Sequence, residues 1–68
     1  MKDGAKKLGE NLKRIRTNKN ITQTELADKL KVDKSFVSNI ENGKTNPTLL
    51  TITSLAKALD VSVNELLK

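Results

Sequence analysis

A chain of 68 residues with no cysteine, no histidine and a single aromatic residue, Phe36, has little catalytic chemistry and can bury only a small core. Disulfides, thiolate catalysis and most zinc sites are excluded, and no catalytic motif is present, so the sequence predicts neither an enzyme nor a cofactor. Thirteen Lys and Arg against eight Asp and Glu give a net charge of +5, which favours a polyanionic partner.

The first predicted helix runs from Ala5 to about Lys19, after a frayed tail over Met1–Gly4. Its apolar residues recur at i, i+4 and i+7 and should form a buried stripe. They are Leu8, Leu12 and Ile15. Arg16 sits beside this stripe, where its guanidinium would be partly buried and would need an acidic partner. Asn20 occupies the position at which a helix commonly ends in a left-handed residue.

The remaining bases of this helix are interpreted as a solvated face, because charge runs on amphipathic helices usually face water. They include Lys6, Lys7, Lys13 and Arg14. None of them is assigned a contact with a partner from its position alone.

The second predicted helix opens with the capping box Thr22–Glu25. In this motif the Thr22 hydroxyl accepts from the Glu25 amide, and the Glu25 carboxylate accepts from the Thr22 amide. Three apolar residues then lie on one side of about two helical turns. They are Leu26, Ala27 and Leu30. A helix this short needs tertiary packing to be stable.

The third predicted helix runs from Lys34 to about Glu41, with Asp33 as the N-cap whose carboxylate can bond the free amides. Val37 and Ile40 point inward. The opposite face is polar and free of acid, with Ser35, Ser38, Asn39, Asn42 and, at its edge, Lys34. A merely solvated helix usually carries Glu–Lys pairs at i,i+4. Two helices joined by a three-residue turn, the second with such a face, suit the major groove of DNA, although a generic helical hairpin is the alternative.

A loop and two further helices complete the predicted fold. Gly43 can end the third helix and Pro47 can start the next element. Thr48 is the predicted N-cap of the fourth helix, whose inward stripe is Leu49, Ile52, Leu55, Ala56 and Leu59. Asp60 ends that helix, and a second capping box, Ser62–Glu65, opens a short fifth helix containing Val63, Leu66 and Leu67. The predicted fold class is all-α, with five short helices around one core in a single domain of residues 1–68.

Four segments in this order resemble the phage-repressor type of helix-turn-helix domain, the Cro/cI or XRE family. They are LGENLKRIR, ITQTELADKL, VDKSFVSNIENGKTNP and LAKALDVSVNELL. The resemblance covers about Leu8 to Leu67. It implies a sequence-specific regulator of transcription that binds double-stranded DNA and is commonly dimeric on a palindromic operator. We expect a repressor, with an activator as the other mode of action, and the absence of cysteine fits a reducing cytoplasm. A DNA-binding antitoxin and a restriction-modification controller are the alternatives. No membrane partner is expected, since no apolar run approaches a membrane span of about 18 residues.

The resemblance places base-reading side chains on the third helix. They are Lys34, Ser35, Phe36, Ser38 and Asn39. Lys34 can donate to guanine O6 and N7, and Asn39 can form two hydrogen bonds with adenine, whereas serines specify bases weakly. For Phe36, a contact with the second helix and a contact with a thymine methyl group both remain open.

Phosphate contacts are expected from the start of the second helix and from the loop after the third. The residues are Thr22, Gln23, Thr24, Asn42, Lys44 and Thr45. By resemblance, Gln23 also braces the recognition helix, and Arg16 pairs with Glu41. Three residues depart from the family pattern. Lys31 replaces a frequent glycine in the turn and requires either a left-handed backbone or a slightly different turn, Asp33 places an acid where Ser or Thr is common, and Asp60 also replaces a frequent glycine.

Dimerisation is expected because a recognition helix of about two turns covers only about four base pairs, too few for selectivity. The candidate interface residues are Leu50, Val63, Leu66 and Leu67, with core filling as the alternative for the last three. This patch is small, so we expect a weak homodimer that DNA stabilises.

Overall fold

The computed structural model describes residues 2–68, with side chains from Gly4 onward, and within that range it contains five helices and no strand. The helices are α1 (Lys2–Asn18), α2 (Gln23–Leu30), α3 (Lys34–Glu41), α4 (Leu49–Leu59) and α5 (Val63–Leu67). The predicted all-α architecture is therefore confirmed. None of these helices is long and apolar enough to cross a membrane.

Helix α1 begins earlier than predicted. It includes residues 2–4, which the sequence placed in a frayed tail, whereas Met1 lies outside the described residues. The first turns of α1 have a tertiary contact, because the backbone of Lys6 packs against Gly43 in the loop after α3. Packing of this kind, rather than intrinsic propensity, stabilises most protein helices, and the sequence pattern did not reveal it.

Twelve buried apolar side chains from all five helices form the core. They are Leu8, Leu12, Ile15, Leu26, Ala27, Val37, Ile40, Ile52, Leu55, Ala56, Leu59 and Leu66. The predicted stripe of α1 is confirmed, as is the inward orientation of Val37 and Ile40.

Two leucines require a change to the predicted assignments. Leu49 was assigned to the inward stripe of α4, but its side chain is 68% exposed because the first residue of α4 lies beyond the edge of the core, which begins at Ile52. Leu66 was a candidate for a dimer interface with core filling as the alternative, and it is fully buried in the core. A side chain without accessible surface cannot contact a second molecule, so Leu66 is removed from the candidate interface.

Left-handed residues other than glycine follow three of the helices; this backbone was predicted for Asn20, was one of two possibilities for Lys31, and was not predicted for Asp60. Asn20 has φ 60°, Lys31 φ 60° and Asp60 φ 58°. The amide of Lys31 closes α2 by donating to the carbonyls of Ala27 and Asp28. Lysine and aspartate adopt this backbone at a modest cost that glycine avoids, so both positions store some strain.

The N-cap residues of α2, α3 and α5 are those predicted, but two of the predicted capping interactions are absent or incomplete. The Thr22–Glu25 box is complete, with Glu25 N 3.0 Å from Thr22 Oγ1 and Thr22 N 2.8 Å from Glu25 Oε1. Asp33 occupies the N-cap position of α3, but its side chain makes no capping hydrogen bond. The Ser62 hydroxyl accepts from the Glu65 amide at 3.4 Å, yet the carboxylate of Glu65 lies 3.7 Å from Lys68 Nζ, so the second box is only half formed.

Two contacts of α1 that the sequence analysis did not predict fix this helix in place. The Asn11 side chain is buried, and its Nδ2 donates to the Leu66 carbonyl at 2.9 Å, which joins α1 to α5. Gly9 packs against the last turn of α3, where a Cβ would collide with the carbonyl oxygens of Ile40 and Glu41. Asn11 lies within the apolar stripe, so its burial had a sequence signal, but its partner 55 residues away did not.

The close approach at Gly9 predicts that Gly9→Ala destabilises the fold. The new Cβ would meet backbone oxygens, including Glu41 O at 2.6 Å, which cannot rotate away. Overpacking of this kind costs about 1–3 kcal/mol of unfolding free energy. Gly4→Ala is the matched control, because nothing lies within 4 Å of a Cβ at that position and alanine favours helix by up to about 1 kcal/mol. Urea unfolding that found equal stability for the two variants would contradict the close contact.

Candidate nucleic-acid interface

A buried carboxylate, Glu41, lies where the first three helices meet. Arg16 Nε donates to Glu41 Oε2 at 2.6 Å, and Arg16 Nη2 donates to Oε1 at 3.1 Å. Gln23 Nε2 donates to the same Oε1 at 2.9 Å. Arg16 Nη1 donates to the carbonyl of Ile21 at 2.7 Å, a contact that the sequence did not predict. These four hydrogen bonds connect α1, the α1–α2 loop, α2 and the end of α3.

Because Glu41 and Arg16 are both shielded from water, each charge in this network depends on its hydrogen-bond partners. The side chain of Glu41 is 1% exposed and that of Arg16 is 11% exposed. Removing both charges from water carries a large desolvation cost, which a two-point contact between the planar groups, together with further hydrogen bonds, can offset. Such a pair is weak evidence for net stability, but loss of one partner leaves the other charge unpaired. The network therefore constrains how α3 is oriented relative to α1 and α2.

The outer face of α3 carries the residues predicted to read bases. Lys34, Ser35 and Phe36 are exposed, whereas Ser38 and Asn39 are half-buried. An open depression brings Ser35, Phe36 and Asn39 together with residues 31–33 of the turn. Ser38 does not line this depression, and its hydroxyl accepts from Asn42 Nδ2 at 3.4 Å. Among the residues lining the depression, Asp33 is the single acid.

Phe36 stands at the boundary between this face and an apolar groove. Its ring is 39% exposed and lines the depression on one side. On the other side it lines a groove with Leu30, Val32 and Leu50. The ring therefore borders the same groove as Leu30 of α2 while part of it remains accessible, so neither of the two open readings is excluded.

The start of α2 offers donors of the kind that bind phosphate. The Thr22 amide is occupied by Glu25, but in the described chain the amides of Gln23 and Thr24 donate to no other group. A helix N-terminus with free amides attracts anions. Gln23 has a second Nε2 hydrogen beyond the one given to Glu41, so it can brace α3 and still donate outward.

The loop after α3 presents the other predicted phosphate ligands. Asn42, Lys44 and Thr45 are all exposed. Their backbone is held by the last turn of α3, since Gly43 N donates to Ile40 O at 3.1 Å and Lys44 N donates to Asn39 O at 2.9 Å. Gly43 has φ +71°, the left-handed conformation that ends the helix. The loop is therefore positioned by the same helix that carries the polar face.

Two short helices joined by a tight turn, with the second presenting an anchored polar face, define the helix-turn-helix class of domain. Residues 12–66 match the sequence profile of the helix-turn-helix family HTH_3. The chain belongs to this family. Its resemblance to the phage-repressor type of domain, inferred above from four sequence segments, is thereby confirmed.

Several individual proteins are similar to the chain. An uncharacterized HTH-type transcriptional regulator of Sinorhizobium fredii is 39% identical over 94% of this chain and 83% of its own length. The crystal structure of the restriction-modification controller protein C.AhdI from Aeromonas hydrophila is 39% identical, with a TM-score of 0.87 over 91% of this chain and 94% of that one. The controller C.Esp1396I, crystallised as a tetramer with its natural 35 base-pair operator, is 32% identical, with a TM-score of 0.80 over 94% and 95% of the two chains.

Other relatives are much longer than the matched region. The immunity repressor of Bacillus phage phi105 is 35% identical over 84% of this chain, which spans 40% of that repressor's length. The transcriptional activator BcrR of Enterococcus faecalis is 38% identical over 85% of this chain, which spans 28% of the activator. The similarity to these proteins concerns this domain alone.

Burial of the ion pair predicts that Glu41→Ala lowers the free energy of unfolding by up to about 3–5 kcal/mol, because Arg16 would keep only the Ile21 carbonyl as a partner. In a domain this small, such a loss approaches the total stability. Glu65→Ala is the control: that carboxylate pairs with Lys68 at 3.7 Å on the surface and contributes at most about 1 kcal/mol. Thermal unfolding measures both variants, and an undiminished melting temperature for Glu41→Ala would contradict the role of the pair.

Proposed function

We propose that this protein is a sequence-specific regulator of transcription that binds double-stranded DNA by inserting α3 into the major groove. The observation that carries the proposal is the orientation of α3: Glu41 anchors its buried side to Arg16 and Gln23, which leaves the polar side facing outward. An α-helix with its side chains has a diameter of about 10–12 Å, and the major groove is about 12 Å wide. The eight residues of α3 therefore fit the groove with their polar face toward the base edges.

Within the proposal, Lys34 and Asn39 specify sequence. Lys34 is exposed at the N-terminus of α3 and can reach guanine O6 and N7, while the Asn39 amide can donate to adenine N7 and accept from N6. Ser35 contributes a weaker preference, and the accessible edge of Phe36 suits a thymine methyl group. Ser38 has its hydroxyl directed to Asn42, so it contributes least to base discrimination.

Phosphate contacts set the register of the helix in the groove. The phosphate ligands are the amides of Gln23 and Thr24 with the Thr22 hydroxyl, and the loop residues Asn42, Lys44 and Thr45. Such contacts supply affinity and orientation without reading sequence. A domain bound in this way covers its base pairs and blocks access of other proteins to them, so we propose repression as the mode of action. The family is a fold of DNA-binding regulators rather than of enzymes, and we propose that this chain acts without catalysis, in the cytoplasm.

A restriction-modification controller is the second candidate for the biological role. The similarity to C.AhdI and C.Esp1396I, at 39% and 32% identity, extends over 94% and 95% of those controller chains. Both roles use the same interface to DNA, so the candidates differ in the genes controlled and not in the chemistry of α3.

We further propose that the protein binds DNA as a weak homodimer. Leu66 is buried and Val63 is half-buried, so Leu50 and Leu67 are the predicted interface residues that stay exposed, at 77% and 52%. Leu50 adjoins the apolar groove formed with Leu30, Val32 and Phe36, which gives a second copy more surface to cover than one side chain offers. Two recognition helices related by a two-fold axis would enter successive turns of the major groove, about 34 Å apart.

The proposal predicts that Asn39→Ala and Lys44→Ala have different effects on DNA binding. On a site selected from a random DNA pool, Asn39→Ala should lose about 1–3 kcal/mol of binding free energy, with little loss on a scrambled duplex, because it removes a base contact. Lys44→Ala should weaken both duplexes equally and make the slope of log K against log salt shallower by about 0.9, because it removes a phosphate contact. Equal losses on both duplexes for Asn39→Ala would remove this residue from the base-reading set.

Dimerisation predicts two protein copies on each selected duplex and a selected sequence with two-fold symmetry. Leu50→Glu should keep the melting temperature, because the side chain is exposed, but should abolish cooperative binding. Thr17→Glu on the exposed side of α1, outside both the proposed interface and the proposed DNA-binding set, is the control for added charge. Sedimentation velocity with and without DNA gives the stoichiometry, and one protein per duplex at saturation would refute the dimer.

A further inference from the structure

Lys6, a residue outside the proposed DNA-binding set, lies directly beside the loop after α3. A Cβ built on Gly43 would stand 3.2 Å from Lys6 Cα, 3.6 Å from Lys6 N and 3.7 Å from Lys6 Cβ. The contact is therefore between the two backbones. The Lys6 side chain is exposed and leaves α1 next to the residue that precedes Lys44.

Two glycines allow this approach. Gly9 brings α1 onto the last turn of α3, against the carbonyls of Ile40 and Glu41. Lys6 lies one helical turn before Gly9, and so the same side of α1 continues past the end of α3 and meets Gly43. Because α1 extends to Lys2, its first turns run alongside the proposed phosphate-binding loop.

The two charged groups at this contact, Lys6 and Lys44, have the same sign, and the acid Glu10 lies one turn further along α1. The loop of residues 42–47 contains Lys44 and no acid, and Lys6 adds a second ammonium group beside it. Two exposed lysines on adjoining segments repel each other weakly in water, and an anion between or beside them relieves that repulsion. A phosphate of the DNA backbone is such an anion, and an ammonium group contacts it as a point charge without demanding a fixed geometry.

We propose that Lys6 is a further phosphate-contacting residue, so that the DNA-binding surface extends from the loop after α3 onto the first turns of α1. This inference rests on the proposed function, because it requires the loop to face the DNA backbone. The ligand is a phosphate of either strand, common to all sequences, so Lys6 contributes affinity and orientation but no sequence preference.

The salt dependence of binding to a mixed-sequence duplex of about two helical turns tests the proposal, and no operator is needed because phosphate contacts support non-specific binding. Lys6→Gln should make the slope of log K against log salt shallower by about 0.9, so a fourfold rise in salt should weaken its binding about 3.5-fold less than that of wild type. Lys6→Arg should restore the wild-type slope. Lys57→Gln is the matched control, since Lys57 is exposed on the groove between α2 and α4, and should change the slope less.

The outcomes separate this inference from the proposed function. If wild type binds the duplex with a steep slope, Lys44→Gln makes it shallower and Lys6→Gln behaves like Lys57→Gln, then Lys6 is only a solvated lysine and the inference is wrong. If folded wild type binds no duplex at low salt, the proposed function fails together with the inference. A shallower slope for Lys6→Gln, rescued by Lys6→Arg at an unchanged melting temperature, supports the contact.

Discussion

The buried carboxylate of Glu41 constrains the structure more than any other group, because a charge shielded from water needs a hydrogen-bonded partner in any arrangement of the helices. Its oxygens accept from Arg16 of α1 and Gln23 of α2, and its own backbone ends α3. A rotation of α3 that turned its polar face inward would leave both Glu41 and Arg16 unpaired at low solvent exposure, a penalty of several kcal/mol. The proposed recognition surface is thus held in one orientation before DNA binds, which lowers the entropic cost of binding.

Two other contacts of α1 also fix the relative positions of the helices. Gly9 permits close packing against the end of α3, and Asn11 ties α1 to the last helix through the Leu66 carbonyl. A chain of 68 residues buries a small core, so directional contacts of this kind supplement apolar burial in fixing how the helices are arranged. The elements proposed to touch DNA, which are the start of α2, the outer face of α3 and the loop after it, all adjoin this fixed centre.

The sequence predicted those features whose causes lie within a few neighbouring residues. The Thr22 capping box, the left-handed Asn20 and the stripe of α1 follow from residue type and periodicity. The pairing of Arg16 with Glu41 required the family resemblance, since residues 25 positions apart carry no local signal of contact. Leu66 was left open between core and interface because the amphipathic pattern of a five-residue helix does not distinguish the two. The approach of Lys6 to Gly43 depends on how two helices cross, which no residue pattern specified.

If the anchored α3 and the segments beside it form the surface that meets DNA, titration of isotope-labelled protein with duplex DNA will show it in the backbone amide chemical shifts. We expect the largest changes at Gln23 and Thr24, along residues 34–39, and in the loop of residues 42–45, with the side-chain signals of Asn39 changing on the selected site only. Changes confined to α4 and α5, with residues 34–39 unaffected at saturation, would contradict it.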